Sequence, residues 1–235
     1  MIDWIGWECF RNWGGTDSRR ETRCALERWN LNLIGRIGLF GGTFNPLHSA
    51  HLLVAKSAYE QFGLSKVVFI PSGIPPHKEI MTTVTKEDRY AMVKRAIAPF
   101  PYFSVSRIEI DRDGLSYTID TIRALQGAYP QGLCFIVGAD LLSQIETWKE
   151  PDKLLESVPF VIAPRNGISK DIFAAPPFDK ARLSFLEMDE VDLSSTWVRD
   201  QIRRGEGIPD CVPEPVASYI EEHGLYQHRE PVPAK

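Results

Sequence analysis

Residues 36–51, RIGLFGGTFNPLHSAH, are the stretch that decides the fold class of this chain. Its first five residues form an apolar run that is typical of a buried parallel strand. Gly41 and Gly42 end the run, and from His51 to Phe62 apolar side chains recur at helical spacing. A strand, a glycine turn and a helix in this order indicate the first unit of an α/β fold.

The same alternation continues along the chain. We predict further strands at residues 67–70, 103–110, 133–137, 160–163 and 183–186, and further helices at 86–97, 118–129, 195–204 and 213–223. Thr85 and Asp88 predict a capping box for the second helix, and Gly63 predicts the end of the first. The pattern predicts a Rossmann-like, doubly wound α/β fold with a mostly parallel sheet and helices on both faces. In such sheets ligands bind beyond the carboxyl ends of the strands.

The two ends of the chain differ from this pattern. Residues 1–35 hold four of the six tryptophans without a sustained period, at Trp4, Trp7, Trp13 and Trp29. We interpret them as an N-terminal extension, which is an appended helix, a partner-binding arm or a disordered segment. The domain is predicted to span residues 36–226 and to be followed by a loose tail, residues 227–235.

Composition excludes several classes of protein. The 235 residues carry a formal net charge of −4, so no global basic field is present to hold nucleic acid. The four cysteines form no CxxC pair, which argues against a zinc site or a disulfide framework. No apolar run reaches the ~18 residues that a membrane helix needs. We predict a cytoplasmic protein without nucleic-acid or membrane partners; whether it forms a homo-oligomer is left open.

The segment after the first strand has the chemistry of a phosphate site. Gly41 and Gly42 let the backbone approach a ligand closely, and the helix that follows directs its N–H groups and positive dipole end to the same place. His48 and His51 lie three residues apart, on one side of the helix entrance, where both rings can donate to phosphate oxygens. The alternative is a tight turn with two structural histidines.

Two later segments can complete such a site. Ser195 and Thr196 open a helix, where their hydroxyls can cap it or bind phosphate, and Arg199 follows one turn later with a bidentate fork. Gly138 and Asp140 follow the fourth strand, where the carboxylate can accept hydrogen bonds from ribose. For each segment the alternative is plain N-capping.

Two further segments are candidates for an acceptor site. The loop containing Pro75, Pro76, His77 and Lys78 is stiffened by proline and presents two basic side chains, although it could equally be a solvated loop. Thr118 lies in the run SYT, and Trp148 offers a flat face for a heteroaromatic ring. The alternative for Trp148 is a place in the core.

Taken together, these motifs resemble the nicotinate-nucleotide adenylyltransferase family of the nucleotidyltransferase superfamily. The resemblance runs from about Arg36 to Tyr226. The first loop is similar to the family's G-G-T-F-D-P-x-H-x-G-H, and PPHK, SYTIDT, GAD with TW, SSTWVR and VPEPVASYIEEHGLY follow in the family's order. Asn45 replaces the usual Asp, and Ala50 replaces the usual Gly between the histidines.

The resemblance implies that the chain transfers AMP from ATP to nicotinate mononucleotide, releasing pyrophosphate in NAD biosynthesis. It implies Mg²⁺ bound mainly through the ATP phosphates, with no dedicated protein ligands. It also implies three sets of site residues: catalytic His48, His51 and Arg199; ATP-binding Gly41, Gly42, Thr43, Phe44, Gly138, Asp140, Ser195 and Thr196; and acceptor-binding His77, Lys78, Thr118, Trp148 and Arg165.

Two kinds of alternative stay open at this point. One is a nucleotidyltransferase with another acceptor, namely nicotinamide mononucleotide, phosphopantetheine or a sugar alcohol phosphate; PPHK, SYT and TW argue against the last two. The other is a nucleotide-sensing module that binds ATP without turnover. His48, His51 and Arg199 together favour catalysis.

Overall fold

A parallel sheet with helices on both faces is formed by the residues that the computed structural model describes, 33–76, 84–179 and 181–227. The strands are β1 (Ile37–Gly42), β2 (Lys66–Pro71), β3 (Phe103–Val105), β4 (Leu133–Gly138), β5 (Phe160–Ala163) and β6 (Leu183–Phe185). The α-helices are α1 (Ser49–Phe62), α2 (Lys86–Ile97), α3 (Thr118–Gln126), α4 (Ala139–Leu142), α5 (Pro151–Ser157), α6 (Ser195–Arg203) and α7 (Glu214–Glu222).

The strand order is β3-β2-β1-β4-β5-β6, and every neighbouring pair is parallel. The direction of winding reverses between β1 and β4, which pair from Ile37↔Leu133 to Phe40↔Ile136. At such a switch point the loops that follow the two strands diverge and leave a crevice beyond the carboxyl edge. The segments beginning at Gly41 and Gly138 lie at this edge.

The sheet separates two hydrophobic cores, because alternate residues of a strand point to opposite faces. On one face, Phe40 and Phe69 pack with side chains of α1, α2, α6 and α7. On the other, Leu39 and Phe135 pack with side chains of α3, α4 and α5. The predicted doubly wound fold is therefore confirmed.

The predicted helix ends of α1 and α2 are also confirmed. Thr85 accepts a hydrogen bond from the Asp88 N–H at 3.1 Å, and the Asp88 carboxylate accepts one from the Thr85 N–H at 2.8 Å. Gly63 ends α1 at φ 59°, and its N–H donates to the Tyr59 carbonyl.

The strand predicted at residues 103–110 was wrong beyond Val105. From Ser106 the chain leaves the sheet in a turn, in which the Asp111 N–H donates to the Arg107 carbonyl at 2.8 Å. Arg107 forms an ion pair with Asp111 within this turn and another with Glu87 of α2, both at 2.8 Å. Ile110 lies in this turn and its side chain is buried, so apolar and polar residues alternate here as they would in a strand.

Several other bounds differ from the prediction. Helix α3 ends at Gln126, short of the predicted Tyr129. Helices α4 and α5 and the 3-10 turns at Ile145–Thr147 and Lys170–Ala174 are too short to give a periodic signal and were not predicted from the sequence. No helix in the described ranges combines the length and apolar character needed to cross a membrane.

The described chain begins at Leu33, whose side chain is buried in the core that includes α1. The backbone is tied there by the Gly35 N–H, which donates to the Gly63 carbonyl at 2.8 Å. The interpretations of residues 1–32 and of the tail from residue 228 concern segments outside the described residues and stay predictions.

Candidate active site

Two adjoining cavities lie beyond the carboxyl ends of the strands. The first has a volume of about 320 Å³ and is lined by the loop after β1, the ends of β4 and β5 and the start of α6. The second has a volume of about 410 Å³ and is lined by the ends of β1, β2 and β4 and the start of α3. They share the wall formed by Gly41, Gly42, Thr43, Asp140 and Leu141. Two ligands bound side by side would therefore meet at this wall.

The loop after β1 is held in a strained conformation by aromatic packing. Phe44 has φ 49°, in the left-handed region that costs a non-glycine residue roughly 1–2 kcal/mol. Its ring packs edge-on against His51 at 5.2 Å and against Phe40 at 5.6 Å. A Cβ on Gly42 would lie only 2.8 Å from the Phe44 ring, so a larger residue there would displace this ring. The packing places a rigid support directly under His51.

The two histidines predicted from the sequence are in contact. Their ring centroids are 3.9 Å apart, and His48 is only 1% exposed. The His48 N–H donates to Nδ1 of His51 at 3.2 Å. A neutral His51 ring therefore carries its proton on Nε2, since each nitrogen of a neutral imidazole has one role. The start of α1 thus determines both the orientation and the tautomer of His51.

His48 is neutral at physiological pH. Burial, and secondarily the positive charge of Arg165, lower the pKa of its ring to about 4. A neutral ring offers one N–H as a hydrogen-bond donor. A bound polyanion would raise the pKa of this ring, because opposite charge favours the protonated form.

The low pKa of His48 has a consequence for stability. In the unfolded chain the ring titrates near its ordinary pKa of 6.5, so below that pH the unfolded state binds the additional proton. The free energy of unfolding therefore falls as pH drops from about 6.5 to about 4, and this side chain alone accounts for about 2 kcal/mol between pH 7 and pH 5. Urea unfolding should show wild type losing about 2 kcal/mol more than His48→Gln over this interval. Equal losses would contradict the prediction.

Helix α6 forms the opposite side of the first cavity and is hydrogen-bonded to the loop after β1. The Ser195 hydroxyl donates to the Pro46 carbonyl at 2.9 Å, and Nη1 of Arg199 donates to the Asn45 carbonyl at 2.8 Å. Nη2 of Arg199 donates to the Thr196 hydroxyl oxygen at 3.1 Å, which leaves the hydroxyl proton of Thr196 for a ligand. Ser194, rather than Ser195, caps the helix by accepting from the Trp197 N–H at 3.1 Å.

The two departures from the family motif have defined places. Asn45 is buried, and its side-chain oxygen accepts a hydrogen bond from the Tyr226 hydroxyl at 2.6 Å. Asparagine thus supplies an acceptor to Tyr226 without adding a negative charge beside Arg199. Ala50 is buried in the wall of the first cavity.

Arg165 lies in the first cavity with Asp140, whereas the sequence-based prediction grouped it with the acceptor. Its Nε is 3.6 Å from the Asp140 carboxylate, and its Nη1 donates to the Val191 and Leu193 carbonyls at 3.2 and 3.4 Å. Arg165 therefore connects the end of β5 with the segment that leads into α6.

Thr118 and Trp148 both line the second cavity. Thr118 is the first residue of α3, and the ring of Trp148 packs edge-on to Phe135 at 6.4 Å. Lys149 lies over the Tyr117 ring at 4.8 Å and pairs with Asp120 at 2.9 Å. His77 and Lys78 lie outside the described residues, and their placement stays a prediction.

Sequence reasoning missed two buried polar residues next to these cavities. Glu109 lines the second cavity at 7% exposure and accepts from the Thr121 hydroxyl at 2.6 Å; burial raises its pKa. Arg89 is fully buried on α2. The sequence did not indicate that either residue is buried. Glu109 stands between two isoleucines and Arg89 lies in an amphipathic helix, and both patterns predict an exposed charged side chain.

Among the described residues, no group of three or more His, Cys, Asp or Glu side chains converges as a metal site. The first cavity instead presents two imidazoles, two guanidinium groups and the N-terminus of α6. This set of donors suits a polyanion.

A glycine turn and a histidine pair at the switch point of a parallel sheet, opposite an arginine-bearing helix, define a nucleotide-binding protein of the nucleotidyltransferase class. In agreement, the model of the family described as cytidylyltransferase-like matches residues 39–201. A probable nicotinate-nucleotide adenylyltransferase of Moorella thermoacetica is 41% identical over 209 residues, covering 85% of this chain and 96% of the relative. One of Halalkalibacterium halodurans is 43% identical over 197 residues, covering 83% of this chain and 93% of the relative. The chain therefore belongs to the nicotinate-nucleotide adenylyltransferase family.

A solved structure supports the fold independently. Nicotinic acid mononucleotide adenylyltransferase of Plasmodium falciparum, complexed with NaAD, superimposes with a TM-score of 0.70. The match covers 82% of this chain and 97% of the other at 19% sequence identity.

Proposed function

We propose that this chain transfers the adenylyl group of ATP to nicotinate mononucleotide, forming nicotinate adenine dinucleotide and pyrophosphate. The observation that carries the proposal is the pair of cavities with a shared wall. One has the basic lining that a triphosphate needs, and the other has the aromatic face and helix N-terminus that a carboxylated heteroaromatic ring needs. The names of the relatives agree with this assignment.

ATP is assigned to the first cavity. Its phosphates would lie along Gly41, Gly42 and Thr43, with donors from His48, His51, Thr196 and Arg199, and from the backbone N–H of Ser195. Its ribose would lie by Gly138 and Asp140. Because Asp140 is paired with Arg165, we assign Arg165 to the nucleotide as well, where its charge would offset that of the phosphates.

Nicotinate mononucleotide is assigned to the second cavity. Its ring would stack on Trp148, and its carboxylate would lie at the N-terminus of α3, where Thr118 offers a hydroxyl and a backbone N–H. His77 and Lys78 are assigned to its phosphate. The amide of nicotinamide mononucleotide lacks the charge that the N-terminus of a helix favours, so the acid should be preferred.

The reaction needs no protein nucleophile, because the acceptor supplies one. A phosphate oxygen of nicotinate mononucleotide would attack the α-phosphorus of ATP in line at the shared wall. A new P–O bond forms, and the bond from the α-phosphorus to the oxygen that bridges it to the β-phosphorus breaks and releases pyrophosphate. Catalysis is then positioning and stabilisation of charge. His51 would donate from Nε2 to the α-phosphate, and Arg199 would hold the leaving pyrophosphate.

We propose Mg²⁺ as the cation that accompanies ATP, held mainly through phosphate oxygens and water. The first cavity fits this role, because its basic lining suits the phosphates that would hold the ion and its wall includes the Asp140 carboxylate, an oxygen ligand of the kind that Mg²⁺ accepts. When bound, Mg²⁺ neutralises phosphate charge.

We also propose residues 36–226 as the catalytic domain, with residues 1–35 an extension and residues 227–235 a tail.

The proposed function is tested by pyrophosphate release from Mg-ATP with nicotinate or nicotinamide mononucleotide in parallel. We expect kcat/KM for the acid to exceed that for the amide by at least about tenfold, which is about 1.4 kcal/mol. Equal rates, or a preference for the amide, would overturn the assignment of the acceptor. No turnover with either, together with ATP binding measured by calorimetry, would indicate a nucleotide-sensing module.

A further inference from the structure

Arg89 joins the two loops that line the cavities. Its Nη1 donates to the Thr43 carbonyl at 3.0 Å and its Nη2 to the Gly73 carbonyl at 2.9 Å. Thr43 belongs to the wall shared by both cavities, and Gly73 follows Ser72 in the segment after β2 that lines the second. One planar guanidinium therefore sets the separation between the nucleotide loop and the acceptor loop.

The burial of Arg89 costs free energy, because its charge is removed from water. The side chain is fully buried, and desolvation lowers its pKa to about 10 in spite of the nearby acidic side chains of Glu109 and Asp88. The two carbonyls that accept its hydrogen bonds are neutral. An apolar residue of similar volume would leave the Thr43 and Gly73 carbonyls without the donor that satisfies them. What an apolar residue lacks is the rigid fork that holds two acceptors at a fixed separation.

The acceptor side of this connection continues to α3. The Gly73 N–H and the Ile74 N–H donate to the Ser116 hydroxyl at 2.9 and 3.3 Å, and the Ser116 N–H donates back to the Ile74 carbonyl at 2.8 Å. Ser116 lies two residues before Thr118. Gly73 has no room to shift toward the turn, because even a Cβ would collide with the Glu109 carbonyl oxygen. Thr43, Arg89, Gly73 and Ser116 therefore form a continuous link from one cavity to the other.

We propose that Arg89 is a positioning residue for adenylyl transfer, which holds the acceptor loop and the nucleotide loop at the separation that in-line attack requires. The proposal rests on the proposed function. Because a misplacement of about 1 Å can cost on the order of a hundredfold in rate, the connection affects turnover more than it affects binding of either substrate alone.

The test compares Arg89→Met and Arg89→Lys with wild type at saturating ATP and nicotinate mononucleotide. We expect kcat to fall at least about tenfold in Arg89→Met, and less in Arg89→Lys, which can reach one carbonyl. The Kd of a non-hydrolysable ATP analogue and of nicotinate mononucleotide, each measured alone, should change less than about threefold. Arg95→Met is the matched control: Arg95 is an exposed residue of the same helix, paired with Glu222, and its loss should leave kcat unchanged.

Two results would overturn the proposal. One is an unchanged kcat per folded molecule in Arg89→Met with a lowered Tm, which would make Arg89 structural only. The other is an inactive wild type, which would remove the proposed function and the positioning role with it. If wild type and Arg95→Met are both active, the proposed function stands, and an unchanged kcat in Arg89→Met then contradicts the positioning role alone. If the Arg89 variants do not fold, Gly73→Ala decides. It displaces the acceptor loop from the Glu109 carbonyl and should lower kcat at least about tenfold, and an unchanged kcat would overturn the proposal.

Discussion

His51→Ala should lower kcat by roughly two to three orders of magnitude, the range observed when one preorganised donor to a transition state is removed. The structure supports a donor role, because Nδ1 of His51 already accepts from the His48 N–H and the Phe44 ring supports its imidazole edge-on. Turnover is measured as pyrophosphate release at saturating substrates. The Kd of a non-hydrolysable ATP analogue should change far less than kcat.

Loss of the imidazole also removes a helix cap, so stability needs its own control. His51→Gln keeps a side chain that can accept a hydrogen bond from the His48 N–H, so it should recover stability but not turnover. His223→Ala removes a histidine that stacks on Tyr219 at the end of α7, away from both cavities, and should keep kcat near the wild-type value. A folded His51→Ala variant with near-normal turnover would refute the assignment.

The parallel sheet could be predicted from sequence because its four central strands are largely buried. β1, β2, β4 and β5 each contain a short apolar run, and the glycines that end β1 and β4 mark where the chain leaves the sheet. Residues 106–110 were wrongly predicted as strand because Ile110 is a buried residue of a turn. The spacing of apolar residues does not distinguish such a turn from a strand. Helix α4 covers only residues 139–142 and gives too few residues for a period.

The site was predictable where its residues follow a strand or open a helix. His48, His51, Asp140 and Arg199 are all in such places, and they line one cavity. Arg89 and Glu109 were missed because their hydrogen bonds join residues separated in the sequence, and no local pattern records a hydrogen bond from residue 89 to residue 43. The sequence-based prediction assigned Arg165 to the acceptor, whereas the side chain lines the first cavity, because a position directly after β5 does not specify which neighbouring loop it faces.

Arg199→Met should lower kcat by about two to three orders of magnitude, because it removes the fork assigned to the leaving pyrophosphate. The guanidinium bonds the Asn45 carbonyl and the Thr196 hydroxyl, and burial lowers its pKa. We expect Arg199→Lys to be less impaired, since it keeps the charge and loses the fork.

The reverse reaction isolates this role of Arg199. With nicotinate adenine dinucleotide and pyrophosphate as substrates, the KM for pyrophosphate should rise at least about tenfold in Arg199→Met, whereas the KM for nicotinate mononucleotide in the forward direction should stay near wild type. Arg204→Met is the control, because Arg204 caps the far end of α6 and pairs with exposed Glu206. Since the variant also leaves the buried Asn45 carbonyl without its donor, at a cost of about 1–3 kcal/mol, its kcat is referred to the folded fraction at the assay temperature. An unchanged KM for pyrophosphate with a raised KM for nicotinate mononucleotide would assign Arg199 to the acceptor instead.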